Sequence, residues 1–226
     1  MKRSLSGLKL VSAIAAAAIF ATAASAQYKL EASTAPVPQE LAASIRGNLS
    51  ASAIQVTGAS GPYCEIWLRK SVPAAPTPDT SLGVNFGQIS QGALVAAIKF
   101  DARGGDYRGQ PIQPGVYTLR FMLEPVNGNH QGVSPYRDFL LASPAALDTS
   151  DATISTDDLL KLSRKASGTG HPSVWSLVPA DSAPATLPGI VHQQEDSDLW
   201  IVFFQAPLPT PVKMGLVVVG RAAESE

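Results

Sequence analysis

The chain has 226 residues, 17 Lys+Arg against 18 Asp+Glu and a formal charge of −1. That length suits one well-buried core or two small ones, and the balanced charge offers no basic field, which excludes nucleic acid as an expected partner. The first element is a leader. Lys2, Arg3 and Lys9 precede the uncharged run from Leu10 to Ala24, and Ala24-Ser25-Ala26 supplies small residues for cleavage after Ala26. This reads as a secretory signal peptide over 1–26. The apolar run is shorter than the ~20 residues a bilayer span needs. Removing it takes three positive charges with it and leaves 14 Lys+Arg against 18 Asp+Glu, a charge of −4 on 200 residues. No later segment is long and apolar enough to span a membrane, so the expected location is periplasmic or extracellular.

Residues 27–37 are polar and Pro-containing and read as an extended N-terminal arm. The next stretch, Pro38 to Leu49, suits one or two turns of helix stopped near Gly47 and Asn48. "AIQVT" and "YCEIWLRK" are strands joined by the turn "GASGP". Cys64 lies in the second, on its apolar side. A single Cys in an exported chain forms no internal disulfide, and here it is expected to be a small core residue. Ser71 to Ser81 holds three prolines and reads as a surface loop.

"QPIQPGVYTLRFML", Gln110 to Leu123, follows a strand over Leu94 to Phe100 and a Gly-rich tip. Pro114 and Gly115 suit the central positions of a type II turn. From Val116 the residues alternate. Tyr117, Leu119, Phe121 and Leu123 form an apolar face; Val116, Thr118, Arg120 and Met122 form a mixed one. The pattern predicts a half-buried strand with one wet side. A short strand through Phe139 and Leu141 follows the loop Asn127 to Gly132. "STDDLLKLSRKASG" is the convincing helix: Ser155 caps it, acids open it, bases close it, and Leu159, Leu162 and Ala166 make its apolar stripe. "SVWSLVP", "DLWIVFFQ" and "VKMGLVVVGRA" are strands, the last a central one. About eight strands, one or two short helices and no strand–helix alternation predict an all-β fold: a single antiparallel β-sandwich, Ig-like or jelly-roll-like, over 38–222, with a polar tail at 223–226.

Several phrases together, "CEIWLRKSVP", "QPGVYTLRFMLEPVNGNHQGVSPYRDFLL" and "LSRKASGTGHPSVWSL", resemble a group of exported bacterial β-sandwich proteins that carry a PGVYTLRF-type strand motif and have no assigned activity. The resemblance implies the fold and export and brings no catalytic residue with it.

Chemistry is sparse. There is no GxSxG or phosphate loop. His130, His171 and His192 sit in or beside Gly-, Pro- or Gln-rich stretches rather than mid-strand. Were their loops to converge, three imidazoles would suit zinc, with Glu195, Asp196 or Asp198 as orienting groups, although no local ligand spacing supports it. Arg137, in "SPYRDF", is either an edge-strand Arg paired with an acid or the floor of a carboxylate or sugar pocket. Trp67, Trp175 and Trp200 lie in apolar strands and are expected in the core. No cofactor is predicted, and the site candidates are His130, His171, His192 and Arg137. The leading expectation is a binding or structural module of the cell envelope, partnered by an envelope protein, a glycan or a small molecule. A metal-dependent enzyme using the loop histidines is the alternative.

Overall fold

Twelve strands and two helices make up a computed structural model that describes residues 27–124, 134, 136–194 and 198–220. In chain order they are β1 (Lys29–Ser33), α1 (Ala43–Asn48), β2 (Ala53–Gly58), β3 (Gly61–Leu68), β4 (Leu94–Phe100), β5 (Gly104–Gly105), β6 (Pro111–Ile112), β7 (Gly115–Leu123), β8 (Asp138–Pro144), α2 (Thr156–Ser167), β9 (Ser173–Val178), β10 (Gly189–Gln193), β11 (Leu199–Ala206) and β12 (Val212–Val219). The all-β, antiparallel class expected from the sequence is what forms. Ten of the strands share one hydrogen-bonded order, β1-β2-β3-β4-β7-β8-β9-β12-β11-β10, and β5–β6 is a small separate hairpin. The first seven of the ten are sequential neighbours apart from that inserted hairpin. The last four form a Greek key, because β9 passes over β12 and β11 before the chain returns from β10.

The sheet curls until its inner face packs on itself. One core cluster joins Ile54 and Val56 of β2, Leu119 and Phe121 of β7, Trp175 and Leu177 of β9, Val202 and Phe204 of β11, and Met214 and Leu216 of β12. The edges β1 and β10 approach one another, with Tyr28 packed edge-on against Trp200 at 5.4 Å between centroids. The segment expected to be an arm therefore contains β1, paired with β2 from Lys29–Thr57 to Ser33–Ala53.

The strand β7 is not wet on either side. Phe121 and Leu119 are fully buried on the inner face, and Arg120 and Thr118 are equally buried on the outer one. Three outer layers cover the sheet. α1 with Leu41, Ile45 and Leu49 packs on Trp67, Leu94, Ala97 and Val116. α2 packs Leu159 on Met122, Phe139, Leu141 and Val174. A third cluster gathers Tyr107, Val178, Leu199, Ile201, Phe203 and Val217. Between the two helical layers, Arg120 finds its partner in Asp148: Nε donates to Oδ2 at 2.6 Å and Nη2 to Oδ1 at 2.9 Å. The charge that reads as a solvent-facing residue in sequence is a buried, bidentate pair.

Gly115 opens β7 at φ 152°, well beyond the value of about 80° that the expected type II turn requires. The caps of α2 work as read. Ser155 caps α2 by accepting from the Asp158 amide, and Gly168 closes it in the left-handed conformation at φ 65°. Of the expected stripe, Leu159 and Ala166 are buried, while Leu162 is half-buried and Ser163 faces inward instead, donating to the Ser173 carbonyl and accepting its amide. Cys64, Trp67 and Trp175 lie in the interior as expected, and Trp200 is 8% exposed at its margin. β12 is central, between β9 and β11.

Candidate functional site

The strand β10 places His192 where the sequence suggests only a loop. Proline and glycine before it, and glutamines after it, hide a five-residue strand paired with β11 from Gly189–Phe203 to Gln193–Leu199. In this register His192 is opposite Trp200, and the two rings stack at 4.1 Å with their planes 8° apart. The His192 Nε2 is hydrogen-bonded to the Asp198 carboxylate, so the ring is held from its face and from its edge. Its side chain remains 20% exposed and that of Asp198 74%.

From this stack a line of aromatic rings runs inward. Trp200 meets Tyr28 at 5.4 Å, Tyr28 meets Tyr63 at 5.5 Å, Tyr63 meets Phe100 at 5.6 Å, and Phe100 meets Trp175 at 5.7 Å. The first three contacts are edge-to-face, the geometry that ring quadrupoles favour. These rings close one end of the roll and give it a rigid base. Burial pushes the Tyr28 hydroxyl above its ordinary pKa, with Cys64 and then Asp198 adding to it electrostatically. Tyr28 is therefore a neutral hydrogen-bonding group at neutral pH.

Two pockets share His192 and Gln194. One, of about 530 Å3, lies on the inner-face side and is lined by Gln27, Tyr28, Ile190, His192, Gln194 and Trp200. The other, of about 670 Å3, opens over the outer face between Tyr136, Val178, Pro179, Asp181, Ser182, Val191 and Gln193. The 3-10 turn Ala180–Ser182 supplies Asp181 and Ser182. Among the described residues neither lining contains a Lys or Arg. The polar inventory is amides, a hydroxyl, two phenols, an imidazole and a carboxylate, set beside aromatic and aliphatic surface. Such a set hydrogen-bonds a neutral polar ligand and packs its apolar faces.

The other sequence candidates go elsewhere. His171 is exposed in the connection before β9, where its carbonyl accepts from Ser167. His130, Glu195 and Asp196 lie outside the described residues, as does the loop Asn127 to Gly132. Among the described residues no three His, Cys, Asp or Glu side chains group closely enough to hold a metal ion, and no Ser or Cys hydrogen-bonds a histidine ring. Arg137 is held by backbone carbonyls. Its guanidinium donates to the carbonyls of Leu82 at 3.1 Å and Glu124 at 3.0 Å, joining two loops. Its neighbour Asp138 is fully buried and accepts from the Asn85 and Phe86 amides at 2.9 and 2.8 Å. Both side chains hold neighbouring loops together.

Sequence reasoning missed Asp181, Ser182, Gln194 and Tyr28 as neighbours of His192. One signal was present. Ile190 and His192 alternate with Val191 and Gln193, and Leu199 to Phe204 alternates behind them, which is a hairpin pattern. No family model, curated protein or solved structure matches the chain.

Proposed function

We propose that this protein is an exported binding module of the cell envelope whose site is the end of β10, and that its ligand is a neutral, polyhydroxylated molecule such as a glycan. Export is supported by the basic start, apolar run and small-residue cleavage motif within Met1–Ala26. The resemblance to exported bacterial β-proteins with a PGVYTLRF-type strand agrees with it.

One observation carries the ligand class: two pockets share His192, which stacks on Trp200, and Gln194, with Gln193, Asp181 and Ser182 lining the outer one and no cation among the described residues of either lining. Sugars present apolar C–H faces to aromatic rings and hydroxyls to amides and carboxylates. Anionic ligands meet Asp181 in the outer pocket and a processed chain of net charge −4, which disfavours phosphates and acidic polymers. The Asp198 hydrogen bond fixes the imidazole, and the ring line behind it holds Trp200 in place, so little ordering remains to oppose binding.

Calorimetric titration and immobilised-glycan binding test this. A panel of neutral oligosaccharides is expected to contain a ligand whose affinity falls tenfold or more in His192→Ala and Gln194→Ala, with both variants folded. Absence of binding to every neutral glycan, or binding that neither substitution alters, would overturn the assignment.

A further inference from the structure

Gln27 is the first described residue and the first residue after the cleavage motif. It is exposed, and it lies two positions before the first rung of β1, the Lys29–Thr57 pair. Cleavage after Ala26 therefore leaves every ladder contact of β1 in place and puts a new α-amine on a glutamine. That residue lines the inner-face pocket beside His192 and Gln194. Among the described residues no hydrogen bond ties its side-chain amide to another group, so the amide is free to turn back toward its own nitrogen.

We propose that the processed chain closes at Gln27 to a pyroglutamyl terminus, and that this lactam is part of the wall of the His192 pocket. The inference rests on the reading of Met1–Ala26 as a cleaved leader. In the closure, the α-amine nitrogen attacks the side-chain carbonyl carbon Cδ. A bond from N to Cδ forms a five-membered ring, the bond from Cδ to Nε2 breaks, and the departing nitrogen takes a proton from the amine and leaves as ammonia. No oxidant, reductant or co-reactant enters. The product replaces an ammonium and a mobile side chain with a rigid, uncharged ring carrying one N–H and a lactam carbonyl. A positive terminus would put a charge in the wall of the pocket that Gln27 lines; the lactam does not. The pocket wall then matches the neutral character of the rest of its lining.

Intact-mass analysis and stepwise N-terminal sequencing of the full-length chain, expressed with its leader and purified from the exported fraction, decide it. The expected mass is that of residues 27–226 less about 17 Da for the lost ammonia, with a terminus blocked to sequencing. Gln27→Asn, which cannot close a five-membered ring by this route, is expected to give its full mass and a readable terminus. A wild-type chain processed before Gln27 with full mass and an open amine would overturn the inference and leave the export reading intact. A chain that keeps Met1–Ala26, or is cut elsewhere, would overturn both the cleavage assignment and the lactam.

Discussion

Replacing Arg120 with Leu removes the centre of a buried network whose members can be counted. The guanidinium is fully buried and Asp148 is 2% exposed. All five of its N–H groups are used. Two go to the Asp148 carboxylate, two from Nη1 to the Gly92 and Ala152 carbonyls at 2.7 and 2.8 Å, and one from Nη2 to the Ser150 carbonyl. Leucine leaves the carboxylate with the Thr118 hydroxyl as its remaining side-chain donor and leaves three carbonyls without this partner. Breaking one side of a buried pair costs about 3–5 kcal/mol. For a chain of this size each kcal/mol moves the thermal midpoint by roughly 2–4 °C, so the expected fall is about 6–20 °C. Arg120→Lys retains the charge but not the fork and is expected to lose less. Adding Asp148→Leu to Arg120→Leu is expected to recover part of the loss, because it removes the stranded charge. Thermal and urea unfolding followed by circular dichroism measure all four proteins. An Arg120→Leu midpoint equivalent to less than about 1 kcal/mol of destabilisation would refute the claim that this network anchors the 144–154 segment to β7.

The inner face gives a second measure: Phe121→Ala, at a fully buried position in the main cluster, is expected to cost about 3–5 kcal/mol, and an unchanged denaturation midpoint would show the strand turned the other way. Cys64 is buried and desolvation raises its thiol pKa, so it should resist a thiol reagent in the native protein and react stoichiometrically in urea; rapid native labelling would contradict its position. Ser155→Ala is expected to lower stability by about 1 kcal/mol through the lost α2 cap, measured by the same unfolding curves. The Ser155 hydroxyl, followed by Lys161, holds the Asp158 carboxyl below its ordinary pKa. Stability from this pair is present above the ordinary carboxylate range and is lost as pH falls through the lower folded value. Ser155→Ala should therefore flatten the acid limb of the stability profile, and an unaltered limb would count against the capping contact.

How much of this was legible depended on whether the signal was local. The start of β7 after Pro114 and the α2 caps each depend on residues a few positions apart, and each was readable. The burial of Arg120 was not, because its reason is Asp148, 28 residues away. An arginine between Leu119 and Phe121 looks solvent-facing until its acid is placed. β1 was misread as an arm since Lys29 and Glu31 are outward charges on an edge strand, which needs only one neighbour. Arg137 could be read only as an acid-paired edge Arg or a pocket floor, because the carbonyls it bonds, Leu82 and Glu124, lie 55 and 13 residues away. The site residues were unreadable for the same reason. Tyr28, Asp181 and His192 are brought together by the approach of the sheet's two edges and by the crossover from β9 to β10.

That crossover also divides the folding problem. From β1 to β9 each strand of the main sheet pairs with the one before it, so most contacts can form as the chain lengthens, with modest loop closure at each step. The trio β10–β12 joins this meander through β9 and β12 at only two residue pairs, Leu216–Leu177 and Gly215–Val178. Its attachment depends on side-chain burial more than on backbone pairing. Assembly then has a natural late step, the docking of a preformed three-stranded unit onto a nearly finished sheet. Until that step is complete Trp175 and Leu177 have no cover from Met214 and Leu216, and the unpaired edge of β9 is where the chain is most exposed to pairing with another copy of itself.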